Sequence, residues 1–291
     1  MINQIILIAF IAGSIYALIA IGFTVIYRTV NFFNFAHGIV YTAGAYLAYT
    51  FFILLDIPFY VSFILAVLFA SGLGVLIDRL VYRPLRKQKA SNLIFLLASF
   101  GVFILLQNLI QMIYGAQILT IRTGEVKEGH HVLGAVITDT QIVIIIVAIV
   151  LFILLWLFIQ RTKLGKAMRA VADDPLAANV VGINPERIIT ASFAIGSALA
   201  GIAGILISFE TNLEPTMGFS ALLKGIIASI VGGIGSIPGA VLGAYFLGLV
   251  ENFGIWYISA GWKDAIAFGV LIVFLLFRPQ GILGKRSESE K

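Results

Sequence analysis

QIVIIIVAIVLFILLWLFIQRTKLGKAMRAVADDPLAANVVGINPER, residues 141–187, joins two kinds of chain at one point. Residues 141–160 carry no charged side chain, and a helix of about 20 apolar residues crosses a bilayer. From Arg161 the chain turns polar, with Lys163, Lys166, Arg169, Asp173, Asp174, Glu186 and Arg187 following closely. The first half predicts a membrane helix. The second half predicts an ordered segment lying against one membrane face.

The rest of the chain repeats the chemistry of the first half. Of 291 residues, 60% are hydrophobic and 11% are charged, where a soluble domain has roughly a quarter charged. Mean hydropathy is +1.06. Residues 5–27 are likewise free of charge. That run has no basic residues before it and no small-x-small cleavage site after it, so it reads as a retained first span. The chain has no cysteine, which excludes a disulfide framework, a thiolate metal site and a cysteine nucleophile. The net charge of +5 is explained by membrane topology and calls for no nucleic acid.

Apolar segments fall at about 5–27, 36–55, 59–80, 92–114, 140–160, 187–208, 220–235, 238–256 and 262–277. The seventh is short and glycine-rich, so the count is eight or nine. The predicted fold is all-α: a polytopic membrane protein forming one domain over residues 1–291. Basic residues cluster at Arg79, Arg83, Arg86, Lys87 and Lys89, then at Arg161–Arg187, then at Arg278, Lys285 and Arg286. The positive-inside rule places all three clusters in the cytoplasm. An even number of crossings must then separate Arg187 from Arg278, which favours nine spans with the N-terminus outside and the C-terminus inside. The remaining connections hold Arg122 and Lys127 but also Asp56, Glu125, Glu128, Asp139, Glu210 and Glu214.

Small residues let membrane helices approach closely. The sixth segment carries two such stripes, Gly196, Ala200 and Gly204, and Ser197 with Gly201. Next, GGIGSIPG strings helix breakers together at Gly232, Gly233, Gly235 and Pro238, predicting a broken helix near 232–239. Irregular backbone at membrane depth is tolerated in packed protein or along a cavity, so these residues are candidates for a translocation pathway. Asn34, His37, Gly38 and Tyr41, near the start of the second segment, are further candidates, since polar groups in spans are costly. Glu210, Asn212 and Glu214 form a candidate outer vestibule. A Lys224–carboxylate contact, with Glu251 the nearby acid in the eighth span, is possible, but spacing supplies no distance. Otherwise nearly all Asp and Glu are read at loops or span ends.

Catalytic and metal motifs are missing. There is no GxxxxGK[ST], HExxH or GxSxG, and a lone His37 makes no metal site. The expectation is a non-enzymatic chain whose energy source lies elsewhere. The polar half of the opening stretch then gains a purpose. Leu164, Ala167, Met168, Val171 and Ala172 fall on one helical stripe. Asp174 is placed to cap a short helix beginning at Pro175, Gly182 suits its C-terminal end, and Asn184-Pro185 starts the next helix. A short helix bounded at both ends suits a stiff knob for docking.

That segment resembles the coupling loop of ABC importer permeases, whose signature is Glu-Ala-Ala, three residues, then Gly. Here Leu176-Ala177-Ala178 precedes Asn-Val-Val and Gly182. Leu176 stands in place of Glu, and the downstream Leu-Pro is absent. RAVADDPLAANVVGIN (169–184), NFAHG (34–38) and FRPQGILGK (277–285) together resemble, over essentially the whole chain, the LivH-type permease family of branched-chain amino acid importers. The resemblance implies a permease working by alternating access in a prokaryotic cytoplasmic (inner) membrane. It implies a second, LivM-type permease and a periplasmic or lipid-anchored substrate-binding protein. It also implies two ATPases that bind ATP and Mg, with no cofactor in this chain. Asp173, Asp174, Pro175, Leu176, Ala177, Ala178, Asn179 and Gly182 would then form the ATPase-coupling element, in a loop over about 161–187. Relatives of the family carry urea or short amides, and a stand-alone secondary carrier or channel is the reading from another class.

Overall fold

A computed structural model describes residues 2–122, 129–132 and 134–284. Glu125, Lys127, Glu128, Lys285 and Arg286 lie outside the described residues. Helix α1 (Ile2–Val30) is followed by α2 (Ala36–Tyr49), which continues into a π-helical turn (Thr50–Leu54). Helix α3 (Phe59–Ile77) runs through a second π-helical turn (Asp78–Tyr82) into α4 (Arg83–Lys87). Then come α5 (Asn92–Tyr114), a hairpin of β1 (His130–Val132) and β2 (Ala135–Ile137), and α6 (Asp139–Arg161). The polar segment forms α7 (Lys163–Asp173) and α8 (Pro175–Val180). The chain finishes with α9 (Pro185–Glu210), α10 (Met217–Gly232), α11 (Ile237–Tyr257) and α12 (Lys263–Phe277), the last preceded by a 3₁₀ turn (Ala260–Trp262).

Among the described residues, eight helical stretches are long and apolar enough to cross a membrane. The seventh predicted segment, the short glycine-rich one, is α10, with 16 residues, or about 24 Å at 1.5 Å per residue, short of the ~30 Å hydrocarbon thickness. The small hairpin pairs His130 with Ile137 and Val132 with Ala135, an ordered element in what the sequence presented as a loop.

The chain divides into two compact units. One comprises Val25–Thr123 and Ile153–Leu222; the other comprises Met1–Thr24, Gly124–Phe152 and Leu223–Lys291.

In the first unit α2 is the most enclosed helix, buried over nearly its whole length and packed by α3, α5 and α9. Missing side chains make this possible. A Cβ on Gly204 of α9 would collide with the Tyr41 carbonyl of α2, and one on Gly44 would collide with Gly201. Ser197 occupies the space beside Gly74 of α3, and Gly201 faces Ala70. The two small stripes predicted on the sixth segment are therefore both used: one lies on α2, the other chiefly on α3. Ser71 Oγ also donates to the Ala194 carbonyl, 3.0 Å away.

In the second unit α10 and α11 form an antiparallel hairpin. Gly232 abuts Gly239, and Gly243 abuts Ala228, so the GxxxG of α11 is the seat for α10. The predicted glycine–proline break is the turn between them. Ser236 caps α11 by accepting from Gly239 N at 3.2 Å. The C-terminal RPQGILG returns to this end. Ile282 N donates to Val231 O at 2.8 Å and Leu283 N to Gly232 O at 2.9 Å, satisfying carbonyls that the end of α10 would otherwise leave bare.

Candidate functional site

The polar segment belongs to the first unit, and its local chemistry builds it residue by residue. Thr162 Oγ1 caps α7 by accepting from Gly165 N at 3.0 Å. Gly165, Met168 and Val171 are buried, because Gly165 fits against the backbone of Phe158 and Ile159 at the end of α6. That contact sets the inward face of α7. Leu164, predicted on the apolar stripe, lies at its edge and is 37% exposed.

Both Asx-Pro starts form as read. Asp174 Oδ1 accepts from Leu176 N at 2.8 Å and Ala177 N at 3.1 Å. Asn184 Oδ1 accepts from Arg187 N at 3.2 Å. Between them, α8 ends with Gly182 at φ 88°, a left-handed conformation that costs glycine nothing. Gly182 N bonds Asn179 O and Ile183 N bonds Ala178 O, each at 3.0 Å. This paired closure is the Schellman pattern. A six-residue helix thus has both ends fixed.

What α8 presents is apolar. Leu176 is 79% exposed, Val180 87% and Val181 74%. Asp173, Asp174, Pro175, Ala177, Asn179 and Gly182 are also exposed. Ala178 is 3% exposed: it faces inward and anchors the helix rather than offering a contact. Three large aliphatic side chains held outward on a rigid turn have the form of an interface anchor.

The candidate pathway residues are placed separately. In the first unit Asn34, His37 and Tyr41 are at most 3% exposed. Asn34 Oδ1 accepts from the Tyr82 hydroxyl at 2.7 Å. Gly38 lets α2 meet Gly218 at the start of α10. Ser99 of α5 holds the bend before α2, accepting from Phe35 N at 3.1 Å. Packing accounts for these residues in this conformation. In the second unit Gly232 lies against Gly239 and Gly233 against Gly284, while Gly235 (φ 82°) and Pro238 form the turn and opening of α11.

Of the vestibule residues, Asn212 accepts from Arg122 Nη2 at 2.9 Å, and Leu119 and Leu213 pair through their backbones. Glu214 lines a cavity of about 280 Å³ with Gln111 and Thr216; Glu210 stands at the end of α9. A separate apolar cavity of about 600 Å³ lies among α2, α3 and α5, lined by Tyr46, Leu68, Phe69, Leu109 and Tyr114 among others. None of the candidate pathway residues lines it.

Two carboxylates are buried: Asp78 corrects its reading as the end of a span, and Glu251 lies within a helix, as its place in the eighth segment implied. Asp78 and Glu251 are both 0% exposed. In the second unit Glu251 Oε2 accepts from the Tyr16 hydroxyl at 2.7 Å and lies 3.4 Å from Lys224 Nζ, the contact for which sequence had no distance. Lys263 Nζ is 3.8 Å from the same oxygen, and Lys224 also reaches Asp264 at 3.3 Å.

Comparison with known proteins identifies the scaffold. The family described as "Branched-chain amino acid transport system / permease component" matches residues 5–275. The chain belongs to this family. It is 41% identical to the high-affinity branched-chain amino acid transport system permease protein BraD of Pseudomonas aeruginosa, over 96% of this chain and 94% of that one. It is 39% identical to the permease protein LivH of Escherichia coli over the same shares. The probable LivH of Methanocaldococcus jannaschii is 32% identical over 95% of this chain and 90% of that one. Among solved structures, PsaBC from Streptococcus pneumoniae in complex with Fab shares the fold, with a TM-score of 0.52, 15% identity, and coverage of 96% and 92%. Membership of the permease family agrees with an all-α membrane architecture, and it makes this chain a transport subunit.

Proposed function

We propose that this permease is the transmembrane subunit of an ATP-binding-cassette importer that brings leucine, isoleucine or valine into the cytoplasm by alternating access. The branched-chain amino acid transport roles of BraD and LivH support the cargo, and the exposed, doubly capped α8 supports the coupling. In this reading the chain sits in a prokaryotic inner membrane with its C-terminus and α7–α8 inside, and, counting the short α10 as a crossing paired with α11, its N-terminus outside. A LivM-type second permease completes the pathway, and a binding protein delivers substrate at the outer side, near Glu210, Asn212 and Glu214. Two ATPases bind ATP and Mg, and each receives one coupling helix. Pathway roles for Asn34, His37, Gly38, Tyr41, Gly232, Gly233, Gly235 and Pro238 belong to the same proposal, in a state where the packing around them opens.

The observation that carries the coupling role is the 79% exposure of Leu176 and 87% exposure of Val180 on a helix closed at both ends. Solvent gains nothing from such side chains, whereas a groove on a partner does. The experiment replaces Leu176 or Val180 by Asp in the assembled importer. Charging an anchor of this kind weakens docking by at least about tenfold, so ATPase recovery with the permease and leucine uptake both fall. Unchanged ATPase association and uptake in both variants would remove α8 from coupling. ATP-independent uptake by this chain alone in vesicles would replace the importer with a secondary carrier. Parallel uptake assays with urea separate the cargo classes.

A further inference from the structure

We propose that Arg86 is the positioning residue that ties the start of α9 to the α3–α4 rod, so that movement of α8 reaches the membrane helices instead of dissipating in a bend. The proposal rests on α8 being the docking element and names the contact that carries its displacement onward.

The geometry is a three-point clasp. Arg86 Nη2 lies 2.8 Å from Asp78 Oδ1 and 2.8 Å from Glu186 Oε2. Arg86 Nε donates to Glu186 Oε1 at 3.1 Å, so the guanidinium grips Glu186 with both prongs of its fork. Thr190 Oγ1, one turn further along α9, donates to Asp78 Oδ2 at 2.8 Å. Arg83 Nε adds a looser contact with Glu186 at 3.5 Å.

Its place in the chain gives it a mechanical meaning. Glu186 follows the Asn184 cap by two residues, and Gly182, the end of α8, precedes that cap by two. A displacement of α8 must pass through this elbow. Without the clasp, the first turn of α9 could tilt alone. With it, α3 and α9 are held at this end by charge and further along by the Ser197–Gly74 and Gly201–Ala70 contacts. Asp78 opens a π-helical turn, a place where helices bend and functional sites recur. Arg86 Nη1 is buried with no acceptor among the described residues. The clasp therefore holds a spare donor for a second arrangement.

The test uses the complete importer, with its ATPases and binding protein, in proteoliposomes. Glu186→Gln keeps the side-chain shape and weakens the grip. Arg86→Lys keeps the charge that compensates Asp78 but loses the fork. The expected result is complex recovery and basal ATPase activity within twofold of wild type. ATP hydrolysed per leucine imported should rise about tenfold in Glu186→Gln and severalfold in Arg86→Lys, within the range of known coupling effects. A wild-type stoichiometry in both variants overturns the proposal. Loss of thermal stability and recovery in both variants, with an unchanged stoichiometry in the surviving complexes, also overturns it by making the clasp merely structural. The Leu176→Asp importer separates the two readings: it fails at assembly, whereas the clasp variants assemble and hydrolyse ATP unproductively.

Discussion

Among the described residues, each compact unit contains one carboxylate removed entirely from solvent, and the two are compensated in different ways. Asp78 has an arginine. The guanidinium is a flat fork that reaches Glu186 as well, and the hydroxyl of Thr190 takes the other oxygen. Glu251 has lysines, which are point charges at 3.4 and 3.8 Å, and its shortest bond is to neutral Tyr16 at 2.7 Å. Its Oε1 has no hydrogen-bond partner among the described residues. The arginine cluster is shared among three helical segments with directional bonds. The lysine cluster is closer to charge neutralisation in a hole. The first can transmit an orientation, while the second can do little more than keep an ion pair tolerable inside the membrane.

The largest expected effect follows from that contrast. Lys224→Met leaves Glu251 with the distant Lys263 and a hydroxyl. Removing one partner of a buried pair costs about 3 kcal/mol or more, read as a lower thermal unfolding midpoint of the purified complex in detergent. The double variant Lys224→Met with Glu251→Leu should recover most of this loss, because replacing both ions by apolar groups is near neutral. Failure of the double variant to recover would mean the lysine cluster is directional after all. Asp78→Asn is the matching change in the arginine cluster. Asn still accepts from Thr190 and Arg86 keeps Glu186, so the expected loss is smaller, about 2 kcal/mol. If Asp78→Asn proves costlier than Lys224→Met, the ranking of the two clusters is reversed.

How much of this could be read from the chain depends on the range of the interaction. The membrane segments are legible because their signal is summed over some twenty residues, and each predicted segment has its helix. The caps at Asp174 and Asn184 and the left-handed Gly182 are legible because donor and acceptor lie within three residues of one another. Leu164 was misread because a stripe fixes a helix face only to within one position, and the contact of Gly165 with α6 chose the neighbouring one. The Arg86–Glu186 clasp was invisible: its partners are 100 residues apart, and no periodicity links them. Asp78 looked like the end of a span because the π-helical turn and α4 that continue it leave no mark in hydropathy. Ala178 could be placed on the short helix but not on its inner face, since a helix of six residues has too few apolar positions to define one.

The smallest effects give the finest discrimination, because both clusters contain a hydroxyl that donates to a buried carboxylate and can be removed without changing shape. Tyr16→Phe deletes the 2.7 Å bond to Glu251, and Thr190→Val deletes the 2.8 Å bond to Asp78. A hydrogen bond to a charged group contributes about 1.5–3 kcal/mol. For Glu251 this is the closest partner, and the remaining cations are too far away to replace it, so Tyr16→Phe should cost about 1.5 kcal/mol. For Asp78 the guanidinium stays at 2.8 Å, so Thr190→Val should cost about 1 kcal/mol. The two variants should also part in transport. Thr190→Val loosens the clasp and should raise ATP consumed per leucine by about twofold, whereas Tyr16→Phe should lower stability and leave that ratio unchanged. An altered ratio in Tyr16→Phe with none in Thr190→Val would exchange the mechanical and neutralising roles of the two clusters.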